Sequence, residues 1–248
     1  MKVLLLLLCV LSLCVASSSV AEEEMKKVLF VVTNHDHIEK INKSTGAYAS
    51  EITHPYKVFK DAGYEIDFIS PRGGNTPLDG MDSLDKESAT LIKGPELGEK
   101  LQNTMKPREI KAENYAALFF AGGHGTMFDL PDNEELQQLT STIYENGGVV
   151  AAVCHGSAAL VNVKLSNGNY LVSGKEVSSF TNEEEDAMKL SDAMPFLLET
   201  TLRERGATFI KAEKFKRKIA SSERLVTGQN PDSATGVAEE VVRLLDRQ

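Results

Sequence analysis

Cys154 stands where a hydrophobic run stops, in Ala152-Val153-Cys154-His155-Gly156, with small residues two positions away on either side. That is the spacing of a nucleophile elbow, G-x-S-x-G, with Ala at the first small position and a thiol in place of the hydroxyl. A nucleophile held in a sharp strand-to-helix turn needs small neighbours, because side chains at those positions would strike adjacent backbone. The segment from Gly156 to Val161 can open a helix, whose free N–H groups would favour a thiolate. His155 is next in sequence and can reach the same site. His124 follows two glycines in Gly122-Gly123-His124-Gly125 and could touch a substrate.

Other polar clusters carry less. His35-Asp36-His37 offers two ligands after a strand, too few for a metal site. The Gly122–Gly125 run lacks the Lys-Ser/Thr ending of a phosphate loop. No metal and no cofactor is expected. The formal charge of −9, from 36 acidic and 27 basic residues, argues against a nucleic-acid partner.

The elements that must hold these residues alternate between strand-like and helix-like. Lys27 to Thr33, Tyr64 to Ser70, Tyr115 to Ala121 and Val149 to Val153 read as strands, rich in β-branched or aromatic residues. Helices are expected from Ser50 to Ala62, Glu96 to Asn103, Asp132 to Asn146, Pro195 to Arg205 and Ser233 to Leu245, with a long loop over Pro71 to Pro95. Ala207 to Ala212 and Leu225 to Thr227 read as late strands, with short strand pieces between Lys164 and Phe180. The alternation implies an α/β fold with a parallel sheet covered on both faces, and one domain over residues 25–248. Ligands in such sheets sit at the carboxyl ends of strands, where His124 and Cys154 lie.

Residues 1–21 have the pattern of a secretory signal peptide. Lys2 is the charged start, Val3 to Val15 is apolar, and Ser19-Val20-Ala21 suits cleavage before Glu22. A secreted, lumenal or periplasmic location is therefore expected, with no membrane attachment after cleavage. Cys9 and Cys14 would leave with the leader, and Cys154 would remain as a lone thiol.

Taken together, Ala151-Ala152-Val153-Cys154-His155-Gly156, Glu51-Ile52-Thr53-His54-Pro55, Phe119-Phe120-Ala121-Gly122-Gly123-His124-Gly125-Thr126, Phe180-Thr181-Asn182-Glu183-Glu184-Glu185 and Thr227-Gly228-Gln229-Asn230-Pro231 resemble the ThiJ/PfpI superfamily. Members are relatives of class I glutamine amidotransferases, and the motifs are most similar to the glyoxalase III and heat-shock-chaperone branch. The resemblance implies a flavodoxin-like three-layer sandwich with a mostly parallel central sheet. It also implies conversion of a small 2-oxoaldehyde, methylglyoxal, to lactate without glutathione or metal, as in the D-lactate dehydratase class. Protein deglycase activity would use the same residues. By the same resemblance Cys154 is the nucleophile and His155 assists proton transfer. Glu51 is the acid beside the thiol, and Glu185 orients the histidine, with Glu184 as the alternative in that position. Gly122 and Gly123 supply the oxyanion site. A holdase chaperone or redox-stress protein of the same fold is the main alternative. An amidotransferase-type hydrolase fits less well, because no histidine follows His155, and a peptidase would need an oligomer-built triad. A homodimer is left open.

Overall fold

The computed structural model describes residues 27–248; the signal peptide read over residues 1–21 lies outside them. The central sheet has six strands: β1 (Lys27–Val31), β2 (Glu65–Ile69), β3 (Tyr115–Phe120), β4 (Val149–Val153), β5 (Ile219–Ser222) and β6 (Leu225–Gly228). Their order is β5-β6-β4-β3-β1-β2, and every pairing is parallel except that of β5 with β6. The central strands are apolar throughout because both of their faces are covered. Along β1, Leu29 and Val31 enter one core, and Val28 and Phe30 enter the other. The period-two alternation of a strand thus feeds two hydrophobic layers.

Helices α1 (Ala49–Asp61) and α8 (Ala234–Leu245) cover the face that holds Phe30, with Ile52, Phe59, Val237 and Val241 buried against it. On the opposite face lie α5 (Glu134–Glu145), α7 (Leu198–Glu204) and the turn after β4, through Leu136, Ile143, Leu198 and Leu160. This is the flavodoxin-like three-layer sandwich. Strand order reverses between β1 and β3, so the crevice for a ligand opens at their carboxyl ends.

Several elements differ from the sequence reading, the short helices at Thr126–Asp129 and Asn182–Ala187 among them. The loop expected over Pro71 to Pro95 contains α2 (Lys86–Lys93), started by Asp85, whose carboxylate accepts the Ser88 N–H at 2.8 Å. Thr208–Phe209 pairs with Glu176–Val177 as a separate two-stranded ribbon and does not join the sheet. β5, an antiparallel edge strand, was not anticipated; its four residues include two serines and carry little apolar signal. The short helices α3 (Pro95–Gln102), α4 (Thr126–Asp129) and α6 (Asn182–Ala187) complete the set. Among the described residues no helix is long and apolar enough to cross a membrane.

Phe30 is the hub of one core. It is fully buried, with ring centroids at 5.8 Å from Phe59, 5.0 Å from Phe68 and 4.8 Å from Phe119. We predict that Phe30→Ala lowers stability by about 3–5 kcal/mol, the usual cost of emptying an aromatic site. Urea unfolding would measure it, and a loss below about 1 kcal/mol would contradict this account of the core.

Candidate active site

The end of β4 delivers Cys154 in a left-handed backbone conformation, φ 56°. A non-glycine residue seldom adopts it, and the strain costs on the order of 1–3 kcal/mol. The chain then turns into a 3₁₀ helix over Cys154–Leu160, all of it buried. The small residue two positions after the thiol is required: a Cβ on Gly156 would lie 2.5 Å from the Phe120 carbonyl oxygen. The thiol at this turn is buried. Cys154 is 4% accessible and forms part of a cleft wall.

Glu51, three residues into α1, meets the thiol from the other side. Its Oε2 accepts the Gly122 N–H at 2.8 Å, and Oε1 has no hydrogen-bond partner in the fold. A side chain at Gly122 would collide with this arrangement, since a Cβ there would lie 2.4 Å from Glu51 Oε2. The expected oxyanion role of Gly122 therefore needs correction: its N–H is already spent on Glu51. The backbone N–H of His155 reaches the Cys154 sulfur, and Gly123 lines the same cleft.

Behind the thiol, Cys154 Sγ lies 3.4 Å from His155 Nδ1, and His155 Nε2 lies 2.6 Å from Glu185 Oε2. Glu185 Oε1 is also paired, at 3.0 Å, with His124 Nε2. One carboxylate thus accepts from two imidazoles. This network assigns the proton of each ring to Nε2 and leaves His155 Nδ1 as an acceptor toward the thiol. Ligand-type atoms of His124, His155 and Glu185 lie within 4.8 Å of one another, a metal-like cluster, but these mutual hydrogen bonds already account for its geometry.

The choice between Glu184 and Glu185 is settled by geometry. Glu184 turns away from His155. Its Oε2 accepts from the Thr181 N–H at 2.9 Å and the Thr181 hydroxyl at 2.8 Å. Its Oε1 takes Gln229, Asn230 and the Phe215 N–H. Thr181 caps α6 in a reciprocal box with Glu184. The Thr-x-x-Glu spacing of Thr181 and Glu184 was legible in the sequence and could have freed Glu185 for the histidine.

Burial sets the proton affinities. It raises the Glu51 carboxyl to about 8, against the opposing hydrogen bonds from Cys154 and Gly122. Burial and then the Glu51 charge push the Cys154 thiol well above its ordinary value, although the His155 N–H opposes this. The expected thiolate at a helix start is therefore a thiol at rest. Burial, reinforced by His124, lowers His155 to about 4 despite Glu185. For Glu185, burial acts upward, but the hydrogen bonds from His124 and His155 outweigh it and bring the carboxyl down to about 2. At neutral pH the site thus holds one stable carboxylate and three neutral groups.

A cleft of about 590 Å³ opens onto these atoms, lined by Glu51, Gly123, His124, Cys154 and His155. Sequence reasoning missed Phe180, whose ring lies 4.3 Å from the His155 ring and forms another wall. A lone Phe before a polar run gave no signal of that role. The other histidines stay outside. His35 stacks on Phe128 at 4.4 Å, and His54 pairs with Asp85 at 3.2 Å on the surface.

The fold and this site together define a flavodoxin-like α/β protein with a cysteine nucleophile at the crevice of the sheet. Residues 43–244 match the family model described as the DJ-1/PfpI family, and the chain belongs to that family. It is 33% identical over 231 residues to "Glyoxalase 3" of Candida albicans, covering 88% of this chain and 98% of that protein. It is 32% identical over 237 residues to "Glutathione-independent glyoxalase HSP31" of Saccharomyces cerevisiae, covering 89% and 97%. The crystal structure of glyoxalase III from Candida albicans superimposes with a TM-score of 0.83 at 33% identity, over 89% of this chain and 98% of that one. Rapid Encystment Protein 24 KDa of Francisella tularensis gives a TM-score of 0.85 at 39% identity, over 89% and 99%.

The raised Glu51 carboxyl has a consequence for stability. Between pH 4.5 and about 8 the folded protein keeps a proton on Glu51 that the unfolded chain releases. Its contribution therefore falls as pH rises through that window. We predict that Glu51→Gln, which keeps the shape, is more stable than wild type at pH 7.5 by on the order of 2–4 kcal/mol. The advantage should shrink toward pH 4.5. Urea midpoints of both proteins at the two pH values provide the test, and an advantage that does not vary with pH would refute it.

Proposed function

We propose that this protein is a glutathione-independent glyoxalase that converts methylglyoxal and water to lactate through a Cys154 hemithioacetal. The observation that carries the reading is the position of one thiol between a protonatable buried carboxyl, Glu51, and the acceptor nitrogen of His155. The relatives named above as glyoxalases at 32–33% identity support it.

The steps follow from the groups present. His155 Nδ1 takes the thiol proton as sulfur bonds to the aldehyde carbon, and the Glu185 carboxylate stabilises the imidazolium formed. The oxygen of the former aldehyde gathers charge and is met by the backbone N–H groups of Gly123 and His155, each such donor contributing about 3–4 kcal/mol in comparable sites. The imidazolium returns its proton to that oxygen, giving the neutral hemithioacetal. Protonated Glu51 gives its proton to the ketone oxygen and, as the carboxylate so formed, takes the hydrogen from the sulfur-bearing carbon, which leaves a neutral enediol. Glu51 then delivers that proton to the neighbouring carbon and accepts the hydroxyl proton of the former aldehyde oxygen, which leaves a lactoyl thioester and Glu51 protonated as before. Water cleaves the thioester to lactate and restores the thiol. A carboxyl that titrates near 8 can both take and give a proton at neutral pH, which this transfer requires.

The same chemistry would accept a carbonyl adduct of a protein amine, so a deglycase activity draws on the same residues. For the location, the composition of residues 1–21 supports export from the cytoplasm, and secreted protein should begin at Glu22. Mass spectrometry of protein recovered from a secreting cell decides that point; an intact Met1 terminus on the secreted protein overturns it.

Lactate formation from methylglyoxal, in the absence of glutathione, should fall by at least about a thousandfold in Cys154→Ala, because the covalent route is lost. Turnover that survives this substitution would remove the proposal. In that case, suppression of client aggregation by the same variant at wild-type level would favour the holdase alternative.

A further inference from the structure

Three large apolar side chains are exposed among the described residues: Ile41, Met188 and Phe215, at 43%, 43% and 49% accessibility. Two of them, Met188 and Phe215, line the cleft that leads to Cys154. Such side chains ordinarily turn inward unless something holds them out, and here the backbone does so. Phe215 has φ 60°, a left-handed conformation that is costly for an aromatic residue. Its N–H donates at 2.8 Å to Oε1 of Glu184, which is fully buried and also anchored by Thr181, Gln229 and Asn230. Met188 ends α6 with its N–H on the Glu184 carbonyl at 3.0 Å, and the next residue, Lys189, is again left-handed at φ 60°. The Glu184 side chain thus holds the backbone of Phe215 at the mouth, and the Glu184 carbonyl closes the last turn of α6 at Met188. Backbone strain that the surroundings maintain at a cleft is a mark of function.

The rings continue inward. Phe215 lies 6.3 Å from Phe180, and Phe180 lies 4.3 Å from His155. An aromatic wall therefore runs from the solvent to the triad. The cleft of about 590 Å³ is far larger than methylglyoxal, which has only three carbons. Pockets of roughly 300–1,000 Å³ ordinarily hold drug-sized ligands. Asp79 and Asp82 also line it, against one cation, Lys43, so the acidic groups outnumber the basic one and disfavour an anionic tail.

We propose that Phe215 and Met188 form an apolar subsite that selects 2-oxoaldehydes bearing an aryl or alkyl group larger than methyl, with Glu184 as its positioning residue. The subsite rests on the glyoxalase reading and names its preferred substrate class. The dicarbonyl would sit at Cys154 and the apolar group against Phe180 and Phe215.

The test compares phenylglyoxal with methylglyoxal, which share the reacting carbons and differ by the ring. Wild-type kcat/KM should favour phenylglyoxal by at least about tenfold, as expected for burying a ring against apolar walls. The double variant Phe215→Asn/Met188→Ser should lose that preference, mainly by a rise in KM for phenylglyoxal. Asn tolerates the left-handed backbone, so the loop keeps its path while the ring is removed. Glu184→Gln should reduce the preference in the same direction. A phenylglyoxal-to-methylglyoxal ratio that is unmoved in the double variant, or two activities that fall by the same factor, overturns the subsite. Methylglyoxal turnover with an unmoved ratio removes the subsite alone, whereas turnover of neither aldehyde by wild type removes the glyoxalase reading and the subsite with it.

Discussion

The active site depends on one strained residue. Cys154 can face both Glu51 and His155 only because its backbone turns left-handed at the end of β4. A cysteine continuing the strand would alternate into one core or the other, as Val150 and Val153 do. The turn costs on the order of 1–3 kcal/mol, and the packed sheet and the buried 3₁₀ helix after it maintain it. Everything else at the site is arranged around the resulting sulfur position. Gly156 lets the turn pack against the Phe120 and Ala121 carbonyls, Gly122 makes room for Glu51, and both do so by having no side chain.

Three glutamates are buried at this end of the fold, and their surroundings give each a different role. Glu185 accepts from two imidazoles and stays ionised. Glu184 accepts five hydrogen bonds and serves as an anchor for three loops. Glu51 meets only the Gly122 N–H and the Cys154 thiol, keeps an oxygen without a hydrogen-bond partner, and holds its proton to about pH 8. The number of donors reaching each carboxyl therefore decides whether it supplies charge, structure or a transferable proton.

How much of this could be read in advance follows the same physics. The buried strands were legible because parallel strands covered on both faces are apolar along their length. The amphipathic helices were found nearly to their ends. The edge strand β5 was not, because half of it faces solvent and its residues are mixed. Helix α2 was hidden by the glycines and prolines around it, although Asp85 three residues before Ser88 was a readable start. At the site, the elbow spacing pointed to Cys154 on its own. Glu51, Glu185 and the two glycines came only from the family resemblance, since pairs far apart in sequence leave no local pattern. Neither route foresaw that Gly122 gives its N–H to Glu51, or that the thiol rests protonated; both depend on burial in three dimensions.

The resting protonation state bears on which chemistry suits the site. A hydrolase acting on amides benefits from a thiolate paired with imidazolium, ready to expel an amine. Here burial opposes both charges: the thiol is pushed up and His155 is pushed down. A neutral aldehyde is a better electrophile than an amide and can be attacked as the proton leaves the sulfur, without a standing thiolate. The subsequent shift of hydrogen between adjacent carbons returns its proton to the same molecule, so it needs no exchange with solvent until water enters for the last step. A carboxyl poised near neutrality beside a protonated sulfur is suited to that internal transfer. It is poorly suited to a reaction that must hold two charges apart.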